Sequence, residues 1–150
     1  MGQPEGHLSE ACGVVGVFCL REDVVSTAYV ALFALQHRGQ ESVGFASGDG
    51  LEIKCQTAMG LVSTFKPDEL ERLTGHIAIG HTRYSTTGSN QPKNAQPMFS
   101  RGPEVELALG HNGNVINASE LRQRLTSWGV TFSSSSNLRS ILARQPYIHI

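Results

Sequence analysis

Between Gly13 and Leu20 the chain reads GVVGVFCL, a short, β-branched and almost wholly apolar run with Cys12 at its entrance. Such a run suits a central β-strand whose small residues permit close backbone approach. The rest of the chain has to supply a core around it, and 150 residues at 39% apolar and 17% charged size it for one ordinary domain. A disordered or fibrous chain is disfavoured on the same grounds. A chain of this length buries roughly two-thirds of its unfolded surface without disulfide staples and leaves little length for a second catalytic domain. Its 16 glycines exceed the usual fraction of about 7% and fall beside polar clusters, which marks them as positional.

Helical spacing of Ala28, Ala31, Leu32 and Leu35 behind Ser26 as the cap predicts a helix over Ser26 to Gln36, ended by HRGQES. Val43 to Ala46 and Leu51 to Ile53 flank Gly48-Asp49-Gly50 and predict an antiparallel hairpin. Pro67 with DELERL predicts a short second helix before a strand at Ile77 to Ile79. Thr82 to Pro103 is polar and unusually long for a connection inside a compact domain, which points to function. A strand over Val105 to Leu109 then turns through HNGN into a helix capped by Asn117, with Glu120 three residues on, Leu121, Leu125 and Trp128 on one face and Gly129 as its stop. Strands alternating with helices predict a layered sheet-and-helix domain rather than a bundle.

Twelve basic and thirteen acidic residues give a formal charge of -1, without the positive field that nucleic acid or an anionic membrane requires. Neither is expected as a partner. The first eleven residues lack the charged start and the apolar stretch of about 7 to 15 residues that a secretory signal shows, and no stretch approaches the roughly 20 apolar residues of a membrane span. Cys12, Cys19 and Cys55 form neither a paired framework nor a metal knuckle. We therefore expect a reducing, cytoplasmic setting, inert packing for Cys19 and Cys55, and no metal site.

Three polar clusters carry candidate chemistry. Cys12, directly before a strand, is a candidate nucleophile, because a strand holds sulfur at a fixed angle. Cleavage between Ala11 and Cys12 would free an α-amine with an unperturbed pKa of about 7.7 to 8.0, able to take the thiol proton without a histidine. The alternative for Cys12 is packing. In His81-Thr82-Arg83-Tyr84-Ser85-Thr86-Thr87-Gly88, Arg83 has the geometry to grip a small carboxylate bidentately and the hydroxyls to orient an amino acid. A polar turn with Arg83 in a surface ion pair, and His81 as a satisfied core-edge histidine, is the other reading. In Gly110-His111-Asn112-Gly113-Asn114, the Asn112 amide and the Gly113 N–H are candidate oxyanion donors, although Asn-Gly is equally an ordinary turn signal.

Taken in order, Cys12-Gly13-Val14-Val15-Gly16-Val17-Phe18, Leu35-Gln36-His37-Arg38-Gly39-Gln40-Glu41-Ser42, His81 to Gly88 and Gly110 to Asn114 resemble the glutamine amidotransferase domain of the amidophosphoribosyltransferase family. The resemblance runs from Cys12 to about Phe132. It implies an α+β fold, the four-layer αββα sandwich of N-terminal nucleophile enzymes, incomplete at its C-terminal end. It also implies removal of residues 1–11 as a leader, with residues 12–150 a partial amidotransferase domain whose 133–150 tail diverges. By carry-over, Cys12 attacks the side-chain amide of L-glutamine and releases ammonia. The α-amine is the general base, Asn112 and Gly113 are the oxyanion hole, Arg83 holds the α-carboxylate, and Thr82, Ser85 and Thr86 shape the substrate loop. His81 is part of the motif and is not read as a base.

Asn137, in Ser134-Ser135-Ser136-Asn137-Leu138-Arg139, stands where the family carries an aspartate for the substrate amine. A neutral amide loses the charge attraction that the carboxylate would supply. The family's phosphoribosyltransferase domain is expected to be missing or separate, so the 150 residues are not expected to make phosphoribosylamine alone. No cofactor or iron–sulfur cluster is implied, and a homo-oligomer is left open. An inactive structural or subunit-binding fragment is the competing expectation for function.

Overall fold

The computed structural model describes residues 12–21, 23–84, 91–102, 105–113 and 115–132. Four strands, β1 (Gly13–Phe18), β2 (Ser42–Gly48), β3 (Ile53–Met59) and β4 (Ile77–Arg83), form an antiparallel sheet in the order β1-β4-β2-β3. β5 (Met98–Arg101) and β6 (Glu106–Leu109) form a separate two-stranded ribbon. Helices α1 (Val24–Ala34), α2 (Pro67–Leu70) and α3 (Ala118–Ser127), with 3-10 turns at Gln36–Arg38, Val62–Thr64 and Pro92–Asn94, complete the described elements.

Pleating divides the main sheet into two unlike faces. One face receives α1, whose Val24, Val25, Ala28 and Leu32 bury against Val43, Phe45 and Ala78. Phe65 meets Phe45 edge-on at 5.3 Å and Tyr29 stacks on Phe45 at 6.1 Å, so aromatic packing sits at the centre of this core. Residues of the other parity, His81 and Arg83 on β4 and Val14 on β1 among them, face away from α1. Toward that face the ribbon makes its contacts: the Cys55 thiol meets the Pro97 carbonyl at 3.5 Å, and the Glu106 carboxylate accepts the Ile53 N–H at 2.6 Å.

Several expectations need correction. β1 is an edge strand among the described strands, because β4 is sandwiched between it and β2; Val14 and Phe18 are accordingly exposed. Asp23, not Ser26, caps α1, its carboxylate accepting the N–H groups of Val25 at 2.9 Å and Ser26 at 3.1 Å. Burial of Val24 and Val25 pulls the helix start forward despite their modest helix propensity. β4 runs on to Arg83, so His81, Thr82 and Arg83 are strand residues rather than a loop entrance. The polar stretch from Thr82 to Pro103 is not structureless, since it holds the end of β4, a 3-10 turn at Pro92–Asn94 and β5. Leu51 lies in the hairpin loop and Val105 precedes β6. Asn117 occupies the cap position of α3 but its side chain makes no capping bond. Gly129 stops α3 as expected, at φ +86°, where a side chain is disfavoured.

Candidate active site

Cys12 lies immediately before β1, whose register pairs Gly13 with Thr82 and so brings the thiol to the end of β4. There the Tyr84 N–H donates to Sγ at 3.4 Å, and Sγ meets the Tyr84 carbonyl oxygen at 3.5 Å. The Arg38 guanidinium donates through Nε to the Cys12 carbonyl at 3.3 Å. Arg38 closes the 3-10 turn Gln36–Arg38, and the next residue touches β4 directly: a Cβ at Gly39 would lie 2.7 Å from the Arg83 carbonyl carbon and 2.8 Å from that of Thr82. Only glycine allows this approach. Glu41 extends the brace, donating its N–H to the Arg83 carbonyl at 3.1 Å and placing its carboxylate 3.5 Å from the Arg83 guanidinium.

The LQHRGQES segment therefore clamps Cys12 and Arg83 to the same strand ends. Its individual roles are not legible in the sequence, where nothing in the spacing says that the turn after α1 crosses to β4. Arg83 itself is buried, with 8% of its side chain exposed, and belongs to the face away from α1. Thr82 is buried on the opposite face, with its hydroxyl packed against Gly13 and Gly39, and supports the strand end from beneath.

His81 is completely buried, and burial pushes its pKa down to about 4, a cause that outweighs the raising effect of its bond to the His111 carbonyl. That bond, from Nε2 to the carbonyl oxygen at 3.2 Å, ties β4 to the 110–113 loop. A Cβ at Gly110 would meet His81 at 3.7 Å and Val14 at 3.8 Å, so the loop lies over the β1–β4 pair. Val14 is two residues along β1 from Cys12, about 7 Å of extended backbone. Asn112 and Gly113 are exposed at the loop's tip. Gln96, which sequence reasoning missed, accepts the His111 N–H at 2.8 Å.

Ser85, Thr86 and Asn137 lie outside the described residues. Among the described residues no group of three His, Cys, Asp or Glu side chains could hold a metal ion, and no helix is long and apolar enough to cross a membrane. The described cysteines are all free thiols.

A family profile for the glutamine amidotransferase domain matches residues 66–145, more than half of the chain. The chain belongs to the glutamine amidotransferase family. Amidotransferase-domain relatives include the amidophosphoribosyltransferase of Methanothermobacter thermautotrophicus, 43% identical over 136 residues, with 89% of this chain and 29% of that protein covered. The Synechocystis enzyme of the same name is 44% identical over 154 residues, covering 96% of this chain and 31% of its own. That coverage necessarily includes Cys12, which the family profile does not reach. Among solved structures, the Bacillus subtilis glutamine phosphoribosylpyrophosphate amidotransferase complexed with ADP and GMP superposes with a TM-score of 0.78 at 34% identity, covering 93% of this chain and 30% of that one. A structure described as the allosteric regulatory enzyme of purine biosynthesis reaches a TM-score of 0.84 at 36% identity, covering 91% of this chain and 30% of that one.

The amidotransferase domain thus has the mixed α/β sandwich of these structures, the fold of N-terminal nucleophile enzymes. It spans about 30% of the length of the proteins it matches.

Proposed function

We propose that the chain is a glutaminase module that hydrolyses L-glutamine to glutamate and ammonia with Cys12 as nucleophile. The observation that carries this reading is the meeting of Cys12 with the end of β4, beside a loop that offers Asn112 and Gly113 over the adjacent strand pair. Cleavage after Ala11 removes residues 1–11 and frees the α-amine, which takes the thiol proton. The sulfur then bonds to the side-chain amide carbon of glutamine. Negative charge gathers on the amide oxygen, where the Asn112 amide and the Gly113 N–H donate to it. Collapse of this adduct breaks the C–N bond, and the nitrogen leaves as ammonia with the proton held by the α-amine. Water attacks the thioester, and glutamate departs as the thiol re-forms.

Arg83 grips the substrate α-carboxylate, and the adjacent Glu41 keeps its guanidinium oriented. Thr82 supports from the α1 side the strand end that carries Arg83, Ser85 and Thr86 shape the loop around the substrate, and Asn137 accepts from its α-amine. Ammonia passes to a phosphoribosyltransferase domain, carried elsewhere or on a longer chain, for purine biosynthesis in the cytoplasm. Free thiols suit that reducing compartment.

Intact mass and ammonia release test the reading together. Loss of residues 1–11 and glutamine hydrolysis abolished by Cys12→Ala are expected; an intact leader with equal background rates in both proteins rejects it. Asn137 favours a second reading, a subunit-binding fragment without catalysis, because a neutral amide holds an ammonium less well than a carboxylate. Equal rates in both proteins are the result this second reading expects.

A further inference from the structure

The loop carrying Asn112 and Gly113 is exposed at its tip, yet an oxyanion hole works only when its donors are fixed before charge develops. Something beneath the loop must hold it. His111 is the attachment point. Its N–H donates to the Gln96 side-chain oxygen at 2.8 Å, and its carbonyl receives the His81 ring at 3.2 Å. The two bonds hold successive peptide planes. The His111 carbonyl shares a rigid plane with the Asn112 N–H, so the His81 bond sets the plane from which the Asn112 side chain departs.

Both arms of this bracket have the same root. His81 is completely buried and Gln96 is 8% exposed, so neither is a surface contact that water readily replaces. His81 pairs across the sheet with Gly44 on β2. A Cβ at Gly44 would lie 2.4 Å from the Gln96 carbonyl oxygen; the missing side chain lets the Gln96 backbone sit directly on the sheet beside His81. Burial keeps the imidazole neutral, and because Nε2 faces a carbonyl, its one proton belongs on that nitrogen. The ring then donates to the loop without carrying a charge.

We propose that His81 and Gln96 are positioning residues that preset the oxyanion loop by bracketing His111 from the sheet. The proposal rests on the glutaminase reading, and it assigns no chemical step to either side chain.

The test uses the full chain with Gln96→Met, which keeps the shape and removes the acceptor, and Gln96→Glu, which restores it. His81→Met, which fills the space without a donor to the His111 carbonyl, is the companion should Gln96→Met fail to fold by circular dichroism, and the same loss is expected of it. We expect Gln96→Met to lower kcat by about 10-fold or more, the scale of a small misplacement of catalytic groups, with KM for glutamine unchanged and Gln96→Glu recovering most of the loss. Alkylation of Cys12 by iodoacetamide forms no oxyanion, so its rate should be the same in all the variants. Parallel loss of alkylation and hydrolysis, a change in KM alone, or no change at all overturns the proposal.

A second readout does not depend on turnover. The His111 amide should exchange slowly in the wild type and at least about 10-fold faster in Gln96→Met; equal rates overturn the bracket. Absence of Cys12-dependent ammonia release from wild-type protein sinks the glutaminase reading and with it the catalytic purpose of the bracket, while amide exchange still decides whether the bracket exists.

Discussion

His81 makes the fold sensitive to acid. In the unfolded chain the ring takes up its proton near the ordinary value of about 6.5, whereas in the fold it does so only near 4. Between these values the unfolded state binds more protons, so stability rises with pH through the window and is lost as pH falls from about 6.5 to about 4, by about 3 kcal/mol in full. Arg83 and His111 are the charged or titratable neighbours, and both oppose protonation. Urea midpoints measured from pH 7 to pH 4.5 should fall, and the fall should be shallower in His81→Gln; parallel profiles count against this account. Cys55 makes a contrast in reactivity. Burial pushes its thiol up to about 11, so at pH 8 it holds little of the reactive thiolate. Mass mapping after brief iodoacetamide treatment should find Cys12 modified well before Cys55. Gly39 is a third single-residue constraint: its backbone is extended, at φ -162°, so Gly39→Ala strains no dihedral, but the added methyl drives into the β4 backbone. Such overpacking costs about 1–3 kcal/mol, measurable as a lowered urea midpoint.

Asp23 shows the same logic for a whole element. It satisfies two orphan N–H groups at the start of the helix that covers the sheet, and Asp23→Ala should cost about 1 kcal/mol in chemical denaturation without moving the strand register. A loss below about 0.3 kcal/mol would place the weight of that helix start on the burial of Val24 and Val25 instead. The periodic parts of these elements are legible in the sequence: Ala28 and Leu32 face the core, Gly48 and Ile53 close the hairpin, and Pro67 opens α2. What sequence periodicity misses is set by tertiary pairing. The polar run His81-Thr82-Arg83 looks like a loop because no period favours a strand, and it is a strand because β1 and β2 both pair with it. The His81 bond to the His111 carbonyl and the Arg83–Glu41 ion pair offset part of the cost of burying these polar side chains. β5 hides in a polar connection for a related reason, since what makes it a strand is its pairing with β6. The candidate nucleophile, clamp and loop are legible as motifs, whereas Gln96 is not, because only the sheet beneath Gly44 brings it to His111.

The molecule as a whole has two differently finished halves of one sheet face. Near its Cys12 end the face away from α1 carries the 110–113 loop. Toward the other end Phe18 and Ile77, a directly paired cross-strand couple, remain 68% and 52% exposed. Two large, exposed apolar side chains side by side on one strand pair make a surface that binds hydrophobic dyes. We expect the native chain to enhance anilinonaphthalene sulfonate fluorescence, and the double variant Phe18→Ser, Ile77→Ser to lose most of that enhancement. Because both side chains are already more than half in water, their loss should change stability by less than about 1 kcal/mol. Phe18 lies six residues along the chain from Cys12, about 20 Å of extended backbone, so the rate of Cys12 alkylation should not change. Unaltered dye fluorescence would show that the couple is covered in solution. A slowed alkylation would show that β1 transmits the change along its length, and that the strand holding the candidate nucleophile depends on how its far end is packed.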